Sequence, residues 1–412
     1  MVRVNLERET IKEPREELGA WNVLEIGGKK VYTHSGDFYP LDISEFHKAL
    51  KNNSNPREFP LLYLSIYPTD ICNHKCRWCY EKDNYSYREK ETLSKMALDN
   101  IVDSSESLGL KLVRIVGGGE PLINPNTPYF IRRLSDKGVC TNLITNGELL
   151  DRNNSRMGNV PLIIAKYASQ LRVSLDAACQ KTFNEEHHPP TKESFQKILR
   201  SIENIANLRE SLKTDLIIST TFLVNKNNYT ELVDFVDLCG KIGVNMVWFK
   251  SLANYDNFSD HEIHDLNSMI DAVRWNYKGV VVNASRFDTK TMKKQAGNQK
   301  KKPTEYCFVP QLKAYITANG GVANCISYQD NSNFVYGNIY QSSLEQIWRS
   351  DNKLKLIEQR KYKPHTNCVK CCMEKSFNNG TTLLFKNPQE HEAIKHRLGF
   401  EELREVIFGR VK

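Results

Sequence analysis

The chain has 412 residues, of which 40% are hydrophobic and 26% charged, a composition that excludes a disordered or low-complexity protein. Its length implies two or three compact units with enough apolar surface for a large core. A formal net charge of +8, spread diffusely, describes a mildly basic solvated surface and leaves room for an anionic substrate or an acidic partner. No run of eighteen apolar residues exists to make a membrane span, and the N-terminus lacks the apolar stretch of a signal peptide. The expected location is the cytoplasm. Eleven cysteines in a reducing compartment point to metal ligation or catalysis rather than to disulfides.

In chain order, residues 1–57 read as an N-terminal extension. Trp21 to Thr33 form a hairpin pattern around Gly27-Gly28, and Ile43 to Lys51 an amphipathic helix before a polar linker. Residues 58–285 read as the core. Apolar, β-rich runs recur at Leu61–Tyr67, Leu112–Val116, Cys140–Ile144, Leu171–Leu175, Leu216–Val224 and Asn245–Phe249, with a seventh at Val280–Ala284. Helical periodicity fills the gaps, most clearly at Phe195, Ile198, Leu199, Ile202, Ile205 and Leu208, and also over Ser94–Leu108, Tyr129–Lys137 and Tyr229–Ile242. Alternating strands and helices predict a parallel α/β sheet, either open or curled into a barrel. Residues 286–305 read as a basic linker without the interleaved aromatics that nucleic-acid binding would favour. Residues 306–380 read as a small cysteine-rich α+β unit with one helix near Leu344–Glu358. Residues 381–412 read as a helical tail.

Two groups of cysteines carry the chemistry. Cys72, Cys76 and Cys79 stand in a C-x3-C-x2-C run directly after the first core strand. Tetrahedral zinc favours paired C-x2-C knuckles and four ligands. Three thiolates on one tight loop instead suit three irons of a 4Fe–4S cluster, leaving the fourth iron open. His74, inside this loop, reads as a solvent-facing filler. The second group is Cys307, Cys325, Cys368, Cys371 and Cys372; a zinc reading exists but uses only one C-x2-C knuckle. Cys140, Cys179 and Cys239 have no partners at ligand spacing and read as buried structural thiols.

The cysteine loop, the six strand–helix units and Gly117-Gly118-Gly119-Glu120-Pro121 at the end of the second strand together resemble the radical S-adenosylmethionine (radical SAM) enzymes. The resemblance implies a partial (β/α)6 TIM-like barrel with ligands at the carboxyl ends of its strands. It implies that Cys72, Cys76 and Cys79 hold a 4Fe–4S cluster, and that Gly118, Gly119 and Glu120 hold the amino group of S-adenosylmethionine. Trp78 would lie near the adenine, Tyr80 would offer its backbone, and Ser174 and Asp176 would meet the ribose. Thr145-Asn146-Gly147 matches a recurrent stop after the third strand.

Tyr315–Cys325 and the segment from Gly337 to Trp348 resemble the hairpin and helix of SPASM and twitch extensions. The spacing matches best the single-cluster twitch form of the 2-deoxy-scyllo-inosamine dehydrogenase type. That implies an auxiliary 4Fe–4S cluster on Cys307, Cys325, Cys368 and Cys371, with Cys372 as a competing ligand.

The chemistry implied by this resemblance is hydrogen abstraction by a 5′-deoxyadenosyl radical. One outcome is oxidation of a hydroxyl-bearing carbon with the auxiliary cluster as electron acceptor. The alternatives are maturation of a ribosomal peptide and redox-neutral epimerisation. The substrate is accordingly a small molecule or a peptide, and the implied electron donor is a flavodoxin or ferredoxin. Lys250, ending the sixth strand, is a candidate contact for an anionic substrate. His187-His188 reads as a solvent-facing loop pair.

Overall fold

The computed structural model describes residues 22–26, 29–34, 37–38, 56–79, 89–251, 258–273, 275–277, 279–284, 309–325 and 332–358. The expected helix at 43–51, the basic linker and the C-terminal tail lie outside the described residues. In the extension, β1 (Asn22–Ile26) pairs antiparallel with β2 (Lys29–His34), the expected hairpin, and β3 (Asp37–Phe38) adds a third strand.

The core is one sheet. Its centre is six parallel strands in sequence order: β4 (Tyr63–Ile66), β5 (Leu112–Ile115), β6 (Cys140–Thr145), β9 (Gln170–Ser174), β10 (Ile217–Val224) and β11 (Met246–Ser251). The small hairpin β7 (Asn153–Asn154) and β8 (Gly158–Asn159) stands apart. Helices α1 (Lys95–Ser104), α2 (Thr127–Asp136), α3 (Val160–Tyr167), α4 (Gln180–His187), α5 (Ser194–Leu212) and α6 (Leu232–Lys241) fill the crossovers. Ser94 caps α1 by accepting from the Ala97 amide, which fixes its start at the predicted boundary.

Past β11, helix α7 (Asp260–Val273) leads to β12 (Trp275–Tyr277) and to β13 (Val280–Asn283), the expected seventh strand, which runs parallel to β11. On the other side, after the short α8 (Val309–Leu312), β14 (Lys313–Ile316) runs parallel to β4, followed by antiparallel β15 (Gly321–Ala323) and β16 (Val335–Asn338). The first hairpin of the cysteine-rich segment therefore extends the core sheet. Among the described residues the strand order is linear and open at both ends, an α/β half barrel. The helix expected over Leu344–Glu358 is two, α9 (Leu344–Trp348) and α10 (Asp351–Glu358). Ser343 and Gln346 form a capping box on α9, and Arg349-Ser350 separates it from the next helix.

Strand alternation divides the sheet into two faces. One presents Leu64, Val113, Leu143, Leu171, Phe222 and Val247, all buried in a core shared with Ile101, Ile131, Ile198 and Phe235 of the helices. The other, read from the register, presents polar residues, among them Ser65, Arg114, Asn142 and Gln170 in one row. The strand ends between these faces carry the loops of the site.

Candidate functional site

The cysteine loop leaves β4 and is held on both flanks by backbone hydrogen bonds. On one side the Gly119 amide donates to the Thr69 carbonyl (3.0 Å) and the Glu120 amide to the Ile71 carbonyl (2.9 Å). Only glycine permits this approach, since a β-carbon on Gly119 would stand 2.0 Å from the Ile71 oxygen. On the other side the amides of Lys75 and Arg77 donate to the carbonyls of His187 (3.2 Å) and Glu186 (2.9 Å) at the end of α4. The loop is thus clamped between the Gly117–Glu120 run after β5 and the α4 C-terminus after β9.

Glu120 is 2% exposed and acts as a bracket. Its carboxylate accepts from the Leu122 amide (3.0 Å), the Thr145 hydroxyl (2.7 Å) and the Asn146 amide (2.8 Å). Burial raises its pKa against these hydrogen bonds. The Thr145-Asn146-Gly147 turn does more than stop a strand. Asn146 Nδ2 donates to Asn73 Oδ1 (2.8 Å) and lies 3.9 Å from the Cys72 sulfur. Gly118 is half-buried in the same run.

Three expectations are corrected here. His74 is buried, not solvent-facing: clamping both flanks turns the middle of the loop inward, and its Nε2 lies 3.4 Å from Glu148 Oε2. The His187-His188 pair splits because α4 ends there. His188 takes the left-handed cap (φ 41°) and stays exposed, while His187, on the last helical turn, is 3% exposed. The His187 ring stacks on Phe183 (centroids 4.5 Å apart), with Nδ1 3.4 Å from the Cys76 sulfur. Its Nε2 is 3.2 Å from Asp176 Oδ2, an ionic contact rather than an aligned hydrogen bond. Cys179 is also corrected: it occupies the N-cap of α4, outside the helix face, and is exposed, whereas Cys140 and Cys239 are buried as expected.

These neighbours differentiate the thiols. Burial pushes the Cys72 thiol up to about 11, and the negative charges of Glu120, Cys76 and Cys79 add to it, over an opposing hydrogen bond from the His74 backbone. Burial also opposes ionisation of Cys76, but His187 and His74 outweigh it and bring that thiol down to about 6. Burial disfavours charge on His187 too, yet Asp176 and Cys76 lift it to about 10. Sulfurs that repel one another on ionising fit a shared cationic core, which the iron of a cluster supplies. The ligand atoms of His74, Cys76 and His187 also lie within 4.8 Å of one another, a second metal-capable grouping that sequence spacing does not reveal.

The remaining candidates sit around this centre. Trp78 donates from Nε1 to Glu186 Oε2 (2.7 Å) under the Arg77 guanidinium, 4.7 Å from its ring centre. Glu186, unremarked in the sequence, gathers Asn225 (3.1 Å) and Asn227 (3.0 Å) as well. Asp176 takes φ 51° just past β9, and its Oδ1 accepts from the Leu223 amide (2.7 Å). Ser174 and Lys250 lie half-buried on the polar face. Cys325 is half-buried just past β15, while Tyr80, Cys307, Cys368, Cys371 and Cys372 lie outside the described residues.

A half barrel with a clamped cysteine loop at its carboxyl mouth is the arrangement expected of the radical SAM type. Residues 66–239 match the Radical SAM superfamily and residues 307–372 match SPASM, an iron–sulfur cluster-binding domain; the chain carries both domains. A Radical SAM domain binds S-adenosylmethionine and a 4Fe–4S cluster, and a SPASM domain binds auxiliary iron–sulfur clusters.

The chain is similar to the GTP 3',8-cyclase of Psychromonas ingrahamii, 33% identical over 150 residues, covering 35% of this chain and 40% of that protein. It is similar to GTP 3',8-cyclase 1 of Mycobacterium tuberculosis, 28% identical over 238 residues, covering 55% of this chain and 61% of that one. The chain thus spans less than two thirds of these relatives. In fold it resembles Streptococcus suis SuiB bound to its precursor peptide SuiA (TM-score 0.53, 18% identity, 81% of this chain and 73% of that one). It also resembles anSMEcpe with bound AdoMet (TM-score 0.50, 16% identity, 84% and 98%). Among the described residues no helix is long and apolar enough to cross a membrane.

Proposed function

We propose that Cys72, Cys76 and Cys79 hold the SAM-binding 4Fe–4S cluster and that the chain abstracts a hydrogen atom from a substrate seated in the half barrel. When bound, the cluster supplies the electron that cleaves S-adenosylmethionine to a 5′-deoxyadenosyl radical. The observation that carries this reading is the two-sided clamp on the cysteine loop, which presents three thiols at the carboxyl ends of parallel strands.

The protein's own residues then position and shield. Gly119 lets the loop and the glycine run close on each other, and Gly118 borders the same surface. Glu120 ties both to the β6 turn, with most of the roughly four acceptor positions of its carboxylate already filled. Its part in holding the SAM amino group is therefore chiefly to fix the backbone that does so. Trp78, anchored by Glu186, offers a ring face to the adenine. Ser174 presents a hydroxyl toward the ribose, and Asp176, occupied by Leu223 and His187, orients that corner. Tyr80, next after Cys79 in the sequence, would offer its backbone as the family resemblance implies.

Cys307, Cys325, Cys368 and Cys371 would fully ligate the auxiliary cluster, which could then accept an electron but not bind substrate. That favours oxidation of a hydroxyl-bearing carbon, which loses one hydrogen atom, then a proton and an electron, to become a carbonyl. A flavodoxin or ferredoxin would supply the first electron.

The test is anaerobic incubation of reconstituted protein with SAM and dithionite, reading 5′-deoxyadenosine by mass spectrometry. Activity surviving in the Cys72, Cys76, Cys79→Ala triple variant overturns the cluster assignment. Cys325→Ala should still form 5′-deoxyadenosine yet fail to release oxidised product. A product of unchanged mass, or a crosslinked peptide, would replace oxidation by epimerisation or peptide maturation.

A further inference from the structure

The His187 side chain is placed by more than packing. It is the last residue of α4, one turn past Phe183, and the two rings stack with centroids 4.5 Å apart and planes 21° apart. Phe183 is itself fully buried against Phe195 of α5 (5.3 Å), and the His74 ring meets the His187 ring edge-on at 5.8 Å. A phenylalanine would fill such a slot at no polar cost. An imidazole only 3% exposed loses the hydration of its nitrogens and needs partners in return. Both nitrogens face polar atoms: Nδ1 the Cys76 sulfur at 3.4 Å, and Nε2 the Asp176 carboxylate at 3.2 Å.

The end of α4 fixes that sulfur by a separate route. The residues on either side of Cys76, Lys75 and Arg77, donate their amides to the carbonyls of His187 and Glu186. These bonds use only backbone, so they do not depend on the side chain at position 187. Helix and loop together thus hold the ring against the sulfur. To face a thiolate without repulsion Nδ1 has to carry hydrogen, which makes it the donor. Cys72 has a weaker counterpart in the Asn146 amide, 3.9 Å from its sulfur. The ring donor nearest in the sequence, Trp78 Nε1, is turned to Glu186 instead.

We propose that His187 is a positioning residue whose Nδ1–H hydrogen-bonds the Cys76 thiolate when that thiolate holds iron, and so raises the reduction potential of the SAM-binding cluster. Reduction adds negative charge that the sulfurs share. A hydrogen bond donated to one of them therefore stabilises the reduced state more than the oxidised one. Asp176 and Phe183 keep the ring turned toward the sulfur. This rests on the reading that Cys76 is a cluster ligand.

The test is a redox titration of anaerobically reconstituted full-length protein at one fixed pH, followed by electron paramagnetic resonance. The signal that changes on adding SAM marks the cluster to be read. At the wild-type midpoint, the ratio of reduced to oxidised cluster should fall about tenfold in His187→Phe, a midpoint lower by about 59 mV for one electron. His187→Asn, whose side-chain amide can take the place of Nδ1–H, should restore most of that shift. His188→Asn, at the exposed left-handed cap, should leave the midpoint alone. Iron per chain should be equal in all of them, because the backbone clamp is common to them. An unmoved midpoint in His187→Phe overturns the inference. So does an equal shift in His187→Asn, which would assign the effect to lost packing. If His187→Phe fails to assemble the cluster, isotopically labelled histidine in SAM-free wild type decides. A weak nitrogen coupling to the cluster is expected there; no coupling, or one of iron-bound strength, overturns the inference. A wild type with no SAM-sensitive cluster defeats the functional reading above, whereas a SAM-sensitive cluster with an unmoved midpoint defeats this inference alone.

Discussion

The two faces of the central sheet are built from the same strands and obey opposite rules. On β10, Ile218, Phe222 and Val224 turn into the helix layer, while Ser219 and Thr221 face the concave side. On β9, Leu171 and Val173 are core, and Arg172 between them is a buried cation on the other face. Alternate residues of one strand thus divide stability from chemistry, and a one-residue slip in register would exchange the two. What holds the register is the apolar face; what it positions is the polar one.

The largest effect should come from the mouth of the polar face. Removing the thiols of Cys72, Cys76 and Cys79 together should lower iron after anaerobic reconstitution from about eight to about four per chain. Thermal unfolding of the metal-free protein should be little changed. A triple variant that still assembles both clusters would break the division between a stabilising face and a chemical one.

Next in size is a core truncation. Phe222→Ala, at a position with 0% exposure, should cost about 3–5 kcal/mol in urea unfolding. Thr221→Ala, its neighbour on the concave side, should cost about 1 kcal/mol or less. Similar losses at the two positions would erase the contrast.

Glu120→Ala sharpens the comparison where the faces meet. Loss of the bracket should weaken SAM binding by about 1.5–3 kcal/mol, the scale of hydrogen bonds to a charged group. Unchanged SAM affinity by equilibrium dialysis would separate the glycine run from the cofactor.

A smaller, pH-dependent effect distinguishes thiols on one loop. In reduced, iron-free protein, iodoacetamide should alkylate Cys76 from near pH 6 upward, because His187 and His74 overcome the cost of burying its thiolate. Cys72, pushed up to about 11, should stay slow until well above neutrality. Peptide mapping across pH reads both, and His187→Phe should move the Cys76 onset upward. Coincident onsets would remove His187 from the loop's electrostatics.

Much of this architecture is legible in the sequence. The six parallel strands and the seventh announce themselves because buried runs bounded by turns have few alternatives, and the cysteine loop and glycine run stand out by spacing. The surroundings of that loop are not legible. His74 and His187 read as exposed because the direction of a side chain in an irregular loop is set by what docks against it, here the end of α4. Glu186 gave no signal and Asn146 only that of a strand-ending turn, since nothing local separates a hub carboxylate or a bridging turn amide from surface residues. Cys179 misled for a simpler reason: a cap position lies outside the helical period that suggested burial. The break at Arg349-Ser350 was equally hidden, because apolar residues continue on both sides of it.

One joint has a broader consequence. Strand β14 lies beside β4, the strand that feeds the cysteine loop, and Trp348 pins the approach to β4 by donating to the Phe59 carbonyl at 2.6 Å. Asn100 of α1 adds a tie, donating to the carbonyl of Ile339 and accepting from the amide of Leu344. Without these partners β4 would be a bare apolar sheet edge, open to pairing with another chain. The cysteine-rich segment is therefore the selvedge of the catalytic cloth. A chain interrupted before Lys313 would present a sticky border during synthesis, because the edge that the cysteine-rich segment covers is the strand that feeds the cysteine loop.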